Sequence, residues 1–381
     1  MKICFFAHNE KTNENGAAIS LMNIVSELVN RGIEVIIATP NRKIDPFIKN
    51  KNVKFVYIPT ISMRTRLEDV SLKNKIKEFV KKNINKAYFL NGYKTIKKID
   101  PDIIHINGID SEVGAKIASK LDIPYVWHIR QLLEEDFGMR LHNEKEIYKL
   151  LSDANSVIAI SKTVEKKFQN ILNRNLSLIY NGIPLDEYVV NKDKKFGKEK
   201  NTKILLAGRF VRQKGQLEAV KAINVLVQDG IDNIKLILAG RIQDVNYYNE
   251  IKSFIKSQEI DKYITIKEHI DLKQIREEGD IGLICSKKEA FGRVTIEYMT
   301  SKMLAIGANT GGTAEIIKNK RNGLLYEEGD YYSLANQIKY AIYNKKDMQD
   351  IIKNGYIDAT NNYSISSVVD NIIELYNSLI K

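Results

Sequence analysis

Two glutamates, Glu289 and Glu297, stand eight residues apart in the stretch EAFGRVTIE, which also carries an aromatic residue, a glycine and an arginine. The preceding residues 280–286 indicate a buried strand, and residues 294–302 indicate a helix, so the first carboxylate would lie in a loop and the second about one turn inside the helix. The N-terminus of such a helix directs backbone N–H groups and the positive end of its dipole towards a phosphate. Because carboxylates accept hydrogen bonds from hydroxyls, the pair predicts a ligand with hydroxyls on both sides of a phosphate, which is a nucleotide sugar. A glutamate near the start of a helix is also stabilised by the helix dipole without any ligand. The neighbouring motifs therefore have to decide whether Glu297 binds a ligand or only stabilises its helix.

Two cations, Arg209 and Lys214, lie in the loop GRFVRQKG, between a predicted strand at 203–207 and a helix from about Gln216. Gly208 would turn the chain there, the arginine offers a fork of donors and the lysine a compact charge, and this combination suits a diphosphate. The alternative is a pair of solvated loop cations. The loop lacks the spacing and the Lys-Ser/Thr ending of a Walker A motif. No predicted strand leads into G-x-G-x-x-G, which weighs against nicotinamide and flavin enzymes.

The first half of the chain offers weaker candidates. Gly16 lies between the first predicted strand and helix, where it would let the backbone approach a ligand, although a plain turn explains it as well. His128 ends a predicted strand, and its expected place facing a cleft favours a functional role over the structural role of most lone histidines. Arg130, Gln131 and Glu134 follow in a charged loop that is well placed to bind a second substrate.

Short apolar runs alternate with helical stretches along the whole chain, and most runs are dense in isoleucine and valine, as parallel strands covered on both faces are. The pattern breaks at a polar stretch and then starts again. It predicts an α/β protein of two Rossmann-like, doubly wound domains that face each other across a cleft. The predicted parts are an N-terminal domain at 1–190, a linker at 191–202, a C-terminal domain at 203–364 and a final helix at 365–381. The predicted strands are 2–7, 34–39, 53–58, 103–106, 125–128, 156–160, 177–180, 203–207, 235–239, 264–267, 281–285 and 304–307.

The composition, 44% hydrophobic and 28% charged over 381 residues, is typical of a globular protein with more than one core. No run of about eighteen apolar residues occurs, and residues 1–7 indicate a strand rather than a signal peptide. Cys4 and Cys285 lie in apolar runs and are predicted to be reduced core thiols, which fits the cytoplasm. The net charge of +12 favours an anionic partner, with solvated surface lysine as the alternative explanation. No nucleic-acid-binding motif occurs, so nucleic acid is not expected as that partner.

Residues 73–98 form a strongly basic segment with nine lysines and a single acid, Glu78. Ile76, Val80, Ile84 and Tyr88 recur every four residues, with Phe79 beside them, and would form one apolar stripe on a helix. Two interpretations stay open. The helix packs its stripe on the first domain, or it lies on an anionic bilayer, in which case the acceptor is a sugar on a lipid carrier.

Together these residues resemble the retaining glycosyltransferases of family 4, which have the GT-B fold, and the resemblance extends along nearly the whole chain. The pair of Glu289 and Glu297 matches the E-x7-E motif of the family, and Arg209 and Lys214 match its diphosphate-binding pair. His128 matches a histidine at the tip of a first-domain strand. The blocks TGGTAE, at 310–315, and NGLL, at 322–325, resemble segments that follow the second glutamate.

The resemblance implies the roles of individual residues. Glu297 would hold the ribose hydroxyls, and the base would lie near 267–270, which includes His269 and Ile270. The last helix would cross back onto the first domain. The transferred sugar would be held by Glu289 and by the backbone of Phe291, Gly292, Arg293 and Val294.

The implied reaction moves a sugar from a nucleotide-diphosphate donor, a UDP-sugar, to a glycan or lipid-linked acceptor with retained anomeric configuration, as in bacterial surface-polysaccharide synthesis. No His/Cys cluster with ligand spacing occurs, so neither a cofactor nor an essential metal is expected. The expected place is the cytoplasm, including the inner face of the plasma membrane if the segment 73–98 binds lipid. The alternatives are a sugar-nucleotide epimerase of the same architecture, which would need acid/base carboxylates, and a non-catalytic sugar-nucleotide sensor.

Overall fold

The computed structural model describes residues 1–7, 16–40, 53–69, 71–109, 111–190, 195–268 and 272–380. The chain divides into two compact units, one formed by Met1–Gly182 with Ile365–Lys381 and the other by Ile183–Ser364. The boundary therefore lies at residue 182 rather than at the expected 190, because the intervening segment is tied to the second unit. Ile183 donates its N–H to the carbonyl of Tyr363 (2.9 Å), and the Ser301 hydroxyl donates to the carbonyl of Tyr188 (2.9 Å).

Most of the segment predicted to be a linker, 191–202, is part of the second unit. Residues 191–194 lie outside the described residues, and Phe196 is 6% exposed and part of the apolar core of the second unit. The first strand of that unit then begins at Thr202. The segment 195–202 therefore belongs to the second unit, because an aromatic side chain in its polar sequence is used for packing.

Fifteen strands occur among the described residues. They are β1 Lys2–Ala7, β2 Glu34–Thr39, β3 Val53–Tyr57, β4 Arg64–Arg66, β5 Ile103–Asn107, β6 Tyr125–Ile129, β7 Met139–Leu141, β8 Ser156–Ala159, β9 Ser177–Leu178, β10 Thr202–Ala207, β11 Ile234–Ala239, β12 Ile264–Lys267, β13 Ile281–Ile284, β14 Leu304–Ala308 and β15 Leu324–Tyr326. Each of the twelve strands predicted from apolar runs is confirmed to within two residues at either end. The two short strands β4 and β7, which pair antiparallel, and β15 were not predicted.

The same residues contain fourteen α-helices. They are α1 Gly16–Asn30, α2 Leu72–Ile99, α3 Glu112–Leu121, α4 Leu133–Phe137, α5 Glu144–Ser152, α6 Lys162–Leu172, α7 Gln216–Gln228, α8 Val245–Ser257, α9 Leu272–Glu278, α10 Arg293–Thr300, α11 Gly311–Ile316, α12 Tyr331–Tyr343, α13 Lys345–Asn362 and α14 Ile365–Leu379. None of them is both long enough and apolar enough to cross a bilayer.

The first unit is built on a parallel sheet with the strand order β3-β2-β1-β5-β6-β8-β9. Strands β5 and β6 are buried along their whole length, which explains their nearly continuous apolar sequences. The last helix, α14, packs against α1 and contributes Val368, Val369 and Ile372 to the apolar core of this unit. The end of the chain is therefore part of the first unit.

The second unit is built on a parallel sheet with the strand order β12-β11-β10-β13-β14-β15, the order of a complete Rossmann sheet. In each unit the order reverses beside the first strand, between β1 and β5 in one sheet and between β10 and β13 in the other. Ligands of open α/β sheets bind outside the carboxyl ends of the strands at such a switch point. The prediction of two doubly wound units is confirmed, and the loops after β10 and β13 are the places to look for a site.

Both cysteines are buried and free, as predicted. Cys4 lies in β1 and Cys285 directly follows β13. Burial raises the pKa of the Cys4 thiol to about 12 and also raises the pKa of the Cys285 thiol. Because the thiolate is the nucleophilic form, neither cysteine is suited to be a nucleophile.

Candidate functional site

The switch point of the second sheet brings Lys214 and Glu289 together. Lys214 ends a short 3-10 turn after β10, and α7 begins at Gln216 as predicted. The Lys214 ammonium donates to Oε1 of Glu289, which lies in the loop between β13 and α10, and the side chains are 26% and 17% exposed. The other carboxylate oxygen, Oε2, is buried and has no hydrogen-bond partner among the described residues. The site thus contains a neutralised ion pair with one acceptor left over.

Close backbone packing holds the two loops of this pair. Gly215 has a φ of 68°, and a Cβ there would lie 2.2 Å from the carbonyl oxygen of Cys285, so only glycine lets α7 start against the end of β13. The Gly312 N–H donates to the carbonyl of Glu289 (2.7 Å), and a Cβ on Gly312 would lie 2.3 Å from the carbonyl oxygen of Phe291. The block TGGTAE therefore has a physical role, because its glycines press against the loop that carries Glu289.

A small pocket that is open to solvent lies beside the ion pair. Helix α10 starts after Gly292, whose φ is 90°, and Val294 in its first turn faces this pocket. A cation, a carboxylate oxygen without a partner and the start of a helix therefore surround one space, as expected for a ligand with phosphate and hydroxyl groups. The pocket is lined by Leu206, Ala207, Lys214, Leu283, Ile284, Cys285, Ser286, Glu289 and Val294.

Glu297 lies one turn inside α10, as predicted, but two arginines already occupy its carboxylate. It is 8% exposed, and its oxygens lie 3.2 Å from Nη1 of Arg276 and 2.9 Å from Nε of Arg293. Arg293 also donates from Nη2 to the Tyr188 hydroxyl (2.8 Å), and the Arg276 guanidinium lies 4.7 Å from the centre of the Tyr188 ring. Burial and the nearby Glu297 carboxylate raise the pKa of the Tyr188 hydroxyl. A ribose at Glu297 would therefore compete with two cations.

Arg209 does not share a partner with Lys214. Its Nη1 donates to Oε1 of Gln243 in the loop after β11 (2.7 Å), while the backbone N–H of Gly208 donates to the end of that same strand, at Ala239 (2.8 Å). The two side chains predicted to bind a diphosphate thus lie in one loop, but each contacts a different partner.

Phe291 belongs to the core rather than to the pocket surface. Its side chain is 4% exposed, and its ring lies edge-on to Tyr363 with 6.0 Å between ring centres. Only its backbone is therefore left for the predicted contact with the transferred sugar.

In the first unit, His128 lies at the carboxyl end of β6 as predicted, and it is buried, with 1% of its surface accessible. Its Nδ1 lies 3.1 Å from Nε2 of His105 on β5, and Nδ1 of His105 lies 2.5 Å from the hydroxyl of Tyr376 on α14. Burial holds the pKa of both histidines well below the ordinary range, and the positive charge of Arg130 lowers it further. Both rings are therefore neutral near pH 7.

Arg130 and Gln131 follow β6 directly and are each 5% exposed. Arg130 donates from Nε to Oδ1 of Asn107 (2.8 Å) and from Nη1 to Oδ1 of Asn181. Burial lowers the pKa of Arg130 to about 9. Nη2 of Arg130, Nε2 of Gln131 and Nε2 of His128 are buried without a partner among the described residues. The end of β6 thus holds several polar groups that the described chain does not satisfy.

The remaining predicted residues lie apart from these groups. Glu134 is exposed on α4 and accepts from Nζ of Lys167 (3.1 Å), so the structure does not bring it together with Arg130. Gly16 begins α1, and an added Cβ there would meet no atom within 4 Å, so packing does not require a glycine. His269 and Ile270 lie outside the described residues, and the predicted base site stays a prediction.

Sequence reasoning missed the partners of the buried site residues. Arg276 and Tyr188 carry no local signal, because each reaches Glu297 or Arg293 from a distant part of the chain. His105 did have one, since it interrupts the apolar strand sequence IIHIN. Tyr376 is one of the buried residues of α14, and nothing in its local sequence distinguishes it from its apolar neighbours.

Comparison with protein families matches both halves of the chain. Residues 14–187 match the family described as Glycosyltransferase Family 4, and residues 190–358 match the family described as Glycosyl transferases group 1. The two matches adjoin near the boundary between the units and together span most of the chain. The second match contains Lys214, Glu289 and Glu297, and the first contains His128.

Individual proteins agree with this result. The chain is 24% identical to the capsular polysaccharide biosynthesis glycosyltransferase CapM of Staphylococcus aureus over 240 residues, which are 60% of this chain and 63% of CapM, so it spans less than two thirds of that relative. It is 23% identical to the UDP-Gal:alpha-D-GlcNAc-diphosphoundecaprenol alpha-1,3-galactosyltransferase of Escherichia coli over 304 residues, 74% of this chain and 77% of that one. The crystal structure of Anabaena HepE with UDP and glucose matches over 100% of both chains with a TM-score of 0.80 and 20% identity, which shows a shared GT-B fold. The chain therefore belongs to the group 1 glycosyltransferases of family 4.

Proposed function

We propose that this glycosyltransferase moves a sugar from a UDP-sugar to a glycan or lipid-linked acceptor in surface-polysaccharide synthesis, with retained anomeric configuration and without an essential metal. The observation that carries the proposal is the Lys214–Glu289 pair, whose carboxylate keeps one buried oxygen without a partner. The names of two relatives support the substrate classes, since one acts in capsular polysaccharide biosynthesis and the other uses UDP-Gal and a diphosphoundecaprenol acceptor.

The ion pair is suited to a ligand that carries an anion beside neutral hydroxyls. A diphosphate competes with Glu289 for the Lys214 ammonium, because phosphate oxygens also form charge-assisted hydrogen bonds. The released carboxylate then needs donors, and sugar hydroxyls supply them. A nucleotide without its sugar would bind the Lys214 ammonium and leave the Glu289 carboxylate without a donor. This is unfavourable because the Glu289 side chain is only 17% exposed. The pair therefore favours the complete donor over the bare nucleotide.

The proposed reaction breaks the bond between the anomeric carbon and a phosphate oxygen and forms a bond from that carbon to an acceptor hydroxyl oxygen. The acceptor proton goes to the leaving phosphate oxygen on the same face, which retains the configuration. Negative charge grows on the diphosphate, where Lys214, Arg209 and the start of α10 would stabilise it. These groups take the place of a divalent cation, and in the described part of the chain no three His, Cys, Asp or Glu side chains come together as ligands for one.

We expect the purified protein to turn over one UDP-sugar from a panel of nucleotide sugars, in the presence of excess chelator. Hydrolysis or transfer, followed by NMR of the anomeric proton, would give both the donor and the stereochemical course. Epimerisation of the free nucleotide sugar would identify an epimerase, and binding without turnover would identify a sensor. Loss of activity in chelator that Mn²⁺ or Mg²⁺ restores would contradict metal independence.

Helix α2 leaves the apolar side chains of its N-terminal half on the surface. Leu72, Ile76, Phe79 and Val80 are 73%, 58%, 69% and 47% exposed. The interpretation that this part of the stripe packs on the first domain is therefore wrong, although Ile84 and Tyr88 farther along are half-buried.

Two asparagine side chains form hydrogen bonds from the packed face of α2 to the rest of the first unit. Asn74 donates to the hydroxyl of Thr65 (2.9 Å), and Asn85 exchanges two hydrogen bonds with the backbone of Ile61 (2.8 and 2.9 Å). In the N-terminal half of α2, polar groups thus face the protein while the apolar side chains named above face outwards, which is the reverse of an ordinary surface helix. Lys73, Lys75, Lys77 and Lys86 are exposed on the same helix. Apolar side chains among lysines suit an anionic lipid surface, so we propose that α2 docks there and that the acceptor is lipid-linked.

We expect the protein to float with vesicles that contain phosphatidylglycerol at low salt, and to float less at high salt or with neutral vesicles. Replacing Ile76 and Phe79 with serine should abolish flotation without changing thermal stability, since both are exposed. Ile357→Ser is the matched control, because this apolar residue is 41% exposed on α13 of the second unit. An unchanged flotation of the α2 variant, or no flotation of the natural sequence at low salt, would remove the membrane proposal.

A further inference from the structure

Three buried side chains of the first unit form a chain of hydrogen bonds that ends at His128. Tyr376 on α14, His105 on β5 and His128 on β6 are 0%, 0% and 1% exposed. The Tyr376 hydroxyl lies 2.5 Å from Nδ1 of His105, and Nε2 of His105 lies 3.1 Å from Nδ1 of His128. The last atom of the chain, Nε2 of His128, is buried without a partner among the described residues.

The direction of the hydrogen bonds follows from the hydroxyl at the far end. Both imidazoles are neutral, so each carries one N–H and one acceptor nitrogen. The Tyr376 hydroxyl hydrogen has His105 as its one hydrogen-bond partner among the described residues. If His105 donated to Tyr376 instead, that hydrogen would stay unpaired in the interior, which is unfavourable. The hydroxyl therefore donates to Nδ1 of His105.

The rest of the chain is then determined. Nδ1 of His105 is an acceptor, so its hydrogen is on Nε2 and is donated to Nδ1 of His128. Nδ1 of His128 is likewise an acceptor, which leaves its own hydrogen on Nε2. We infer that Tyr376, through His105, is a positioning residue that fixes His128 as an Nε2–H donor.

This inference rests on the proposed function and gives His128 a specific part in it. A neutral Nε2–H can donate a hydrogen bond to a substrate oxygen, but it cannot remove a proton from the acceptor. The nearby charge of Arg130 opposes protonation of the ring, so the group stays a neutral donor. His128 would therefore orient a hydroxyl or phosphate oxygen rather than act as a general base. The final helix, which lies far from β6 in sequence, would set this chemistry.

The test is a two-bond ¹H–¹⁵N correlation spectrum of the ¹⁵N-labelled full-length protein. The chain has five histidines, so the rings of His105 and His128 can be assigned by comparison with His105→Gln and His128→Gln variants. We expect the hydrogen on Nε2 in both rings. A hydrogen on Nδ1 of His128 would overturn the inference, and this result needs no turnover, so it is independent of the proposed function.

Tyr376→Phe removes the hydroxyl that determines the direction of the hydrogen bonds from His105 to His128. We expect the His128 ring to lose its single tautomer and kcat to fall about three- to tenfold, the loss expected for one neutral hydrogen bond, with less effect on KM. Tyr125→Phe is the matched control, because it also removes a hydrogen-bonded tyrosine hydroxyl of the first unit, a part-buried one that donates to the carbonyl of Leu150 (2.7 Å). The control should lose similar stability but keep both kcat and the histidine spectrum. A Tyr376→Phe protein with the natural spectrum and turnover would show that Tyr376 has only a structural role.

Discussion

Replacing Lys214 with alanine should lower kcat by about 10²–10³-fold at saturating donor, the loss typical of one preorganised group that stabilises charge in the transition state. Lys214 lies at the switch point of the second sheet, where its ammonium meets Glu289 beside a pocket and the start of α10. If a diphosphate leaves from this pocket, Lys214 is a cation that lines the pocket beside the growing charge. Arg209→Ala is expected to act in the same direction, because Arg209 is the other cation that the resemblance assigns to the diphosphate.

The matched control for Lys214 is Arg212→Ala. Arg212 lies on the same 3-10 turn, but its side chain is 60% exposed and pairs with Glu250 (2.6 Å). Its loss should leave kcat within about twofold of the natural protein, as for most exposed side chains. Lys214→Met keeps the aliphatic part of the side chain, and its turnover should fall as far as that of Lys214→Ala. Near-normal turnover of either Lys214 variant would remove the lysine from the proposed mechanism.

Glu297→Gln should both destabilise the second unit and weaken nucleotide binding. The carboxylate lies between the guanidiniums of Arg276 and Arg293 and is 8% exposed, so the neutral amide leaves two largely buried cations without their partner. Removing one member of a buried ion pair costs about 3–5 kcal/mol of unfolding free energy. Loss of charge-assisted hydrogen bonds to the ribose should also weaken nucleotide binding about tenfold or more.

Two measurements separate these effects. Chemical denaturation gives the stability of Glu297→Gln, and calorimetry at a temperature where the variant is folded gives its affinity for UDP. Arg276→Met serves as the comparison, because it breaks the same cluster but leaves the Glu297 carboxylate paired with Arg293. It should be destabilised but should not lose affinity for UDP, because the Glu297 carboxylate remains and has one competing cation fewer. If Glu297→Gln binds UDP as the natural protein does, the carboxylate does not hold the ribose and has only its structural role.

The architecture was predictable because its evidence is local. A parallel strand covered on both faces has to be apolar on both faces, and runs such as those of β5, β6 and β10 show this directly in their composition. The start of α7 at Gln216 and the position of Glu297 one turn inside α10 were likewise marked by neighbouring residues. Boundaries were less predictable, because Tyr188 and Phe196 are bound to the second unit by contacts far along the chain, which no local pattern indicates.

The sequence by itself determined which residues could do chemistry, namely Lys214, Glu289, Glu297 and His128, and where each would lie: at or just after the carboxyl end of a strand or, for Glu297, one turn inside a helix. Only the tertiary structure decided which of them meet. Lys214 reaches Glu289 because strand order makes β10 and β13 neighbours, although 75 residues separate the two side chains. Arg276 and Arg293 neutralise Glu297, and α14 brings Tyr376 onto His105, because the packing of helices on a sheet is set by the summed burial of many apolar side chains rather than by any local pattern. Neighbours that no spacing rule identifies therefore decide whether a charged side chain is free to bind a ligand and which tautomer a histidine adopts.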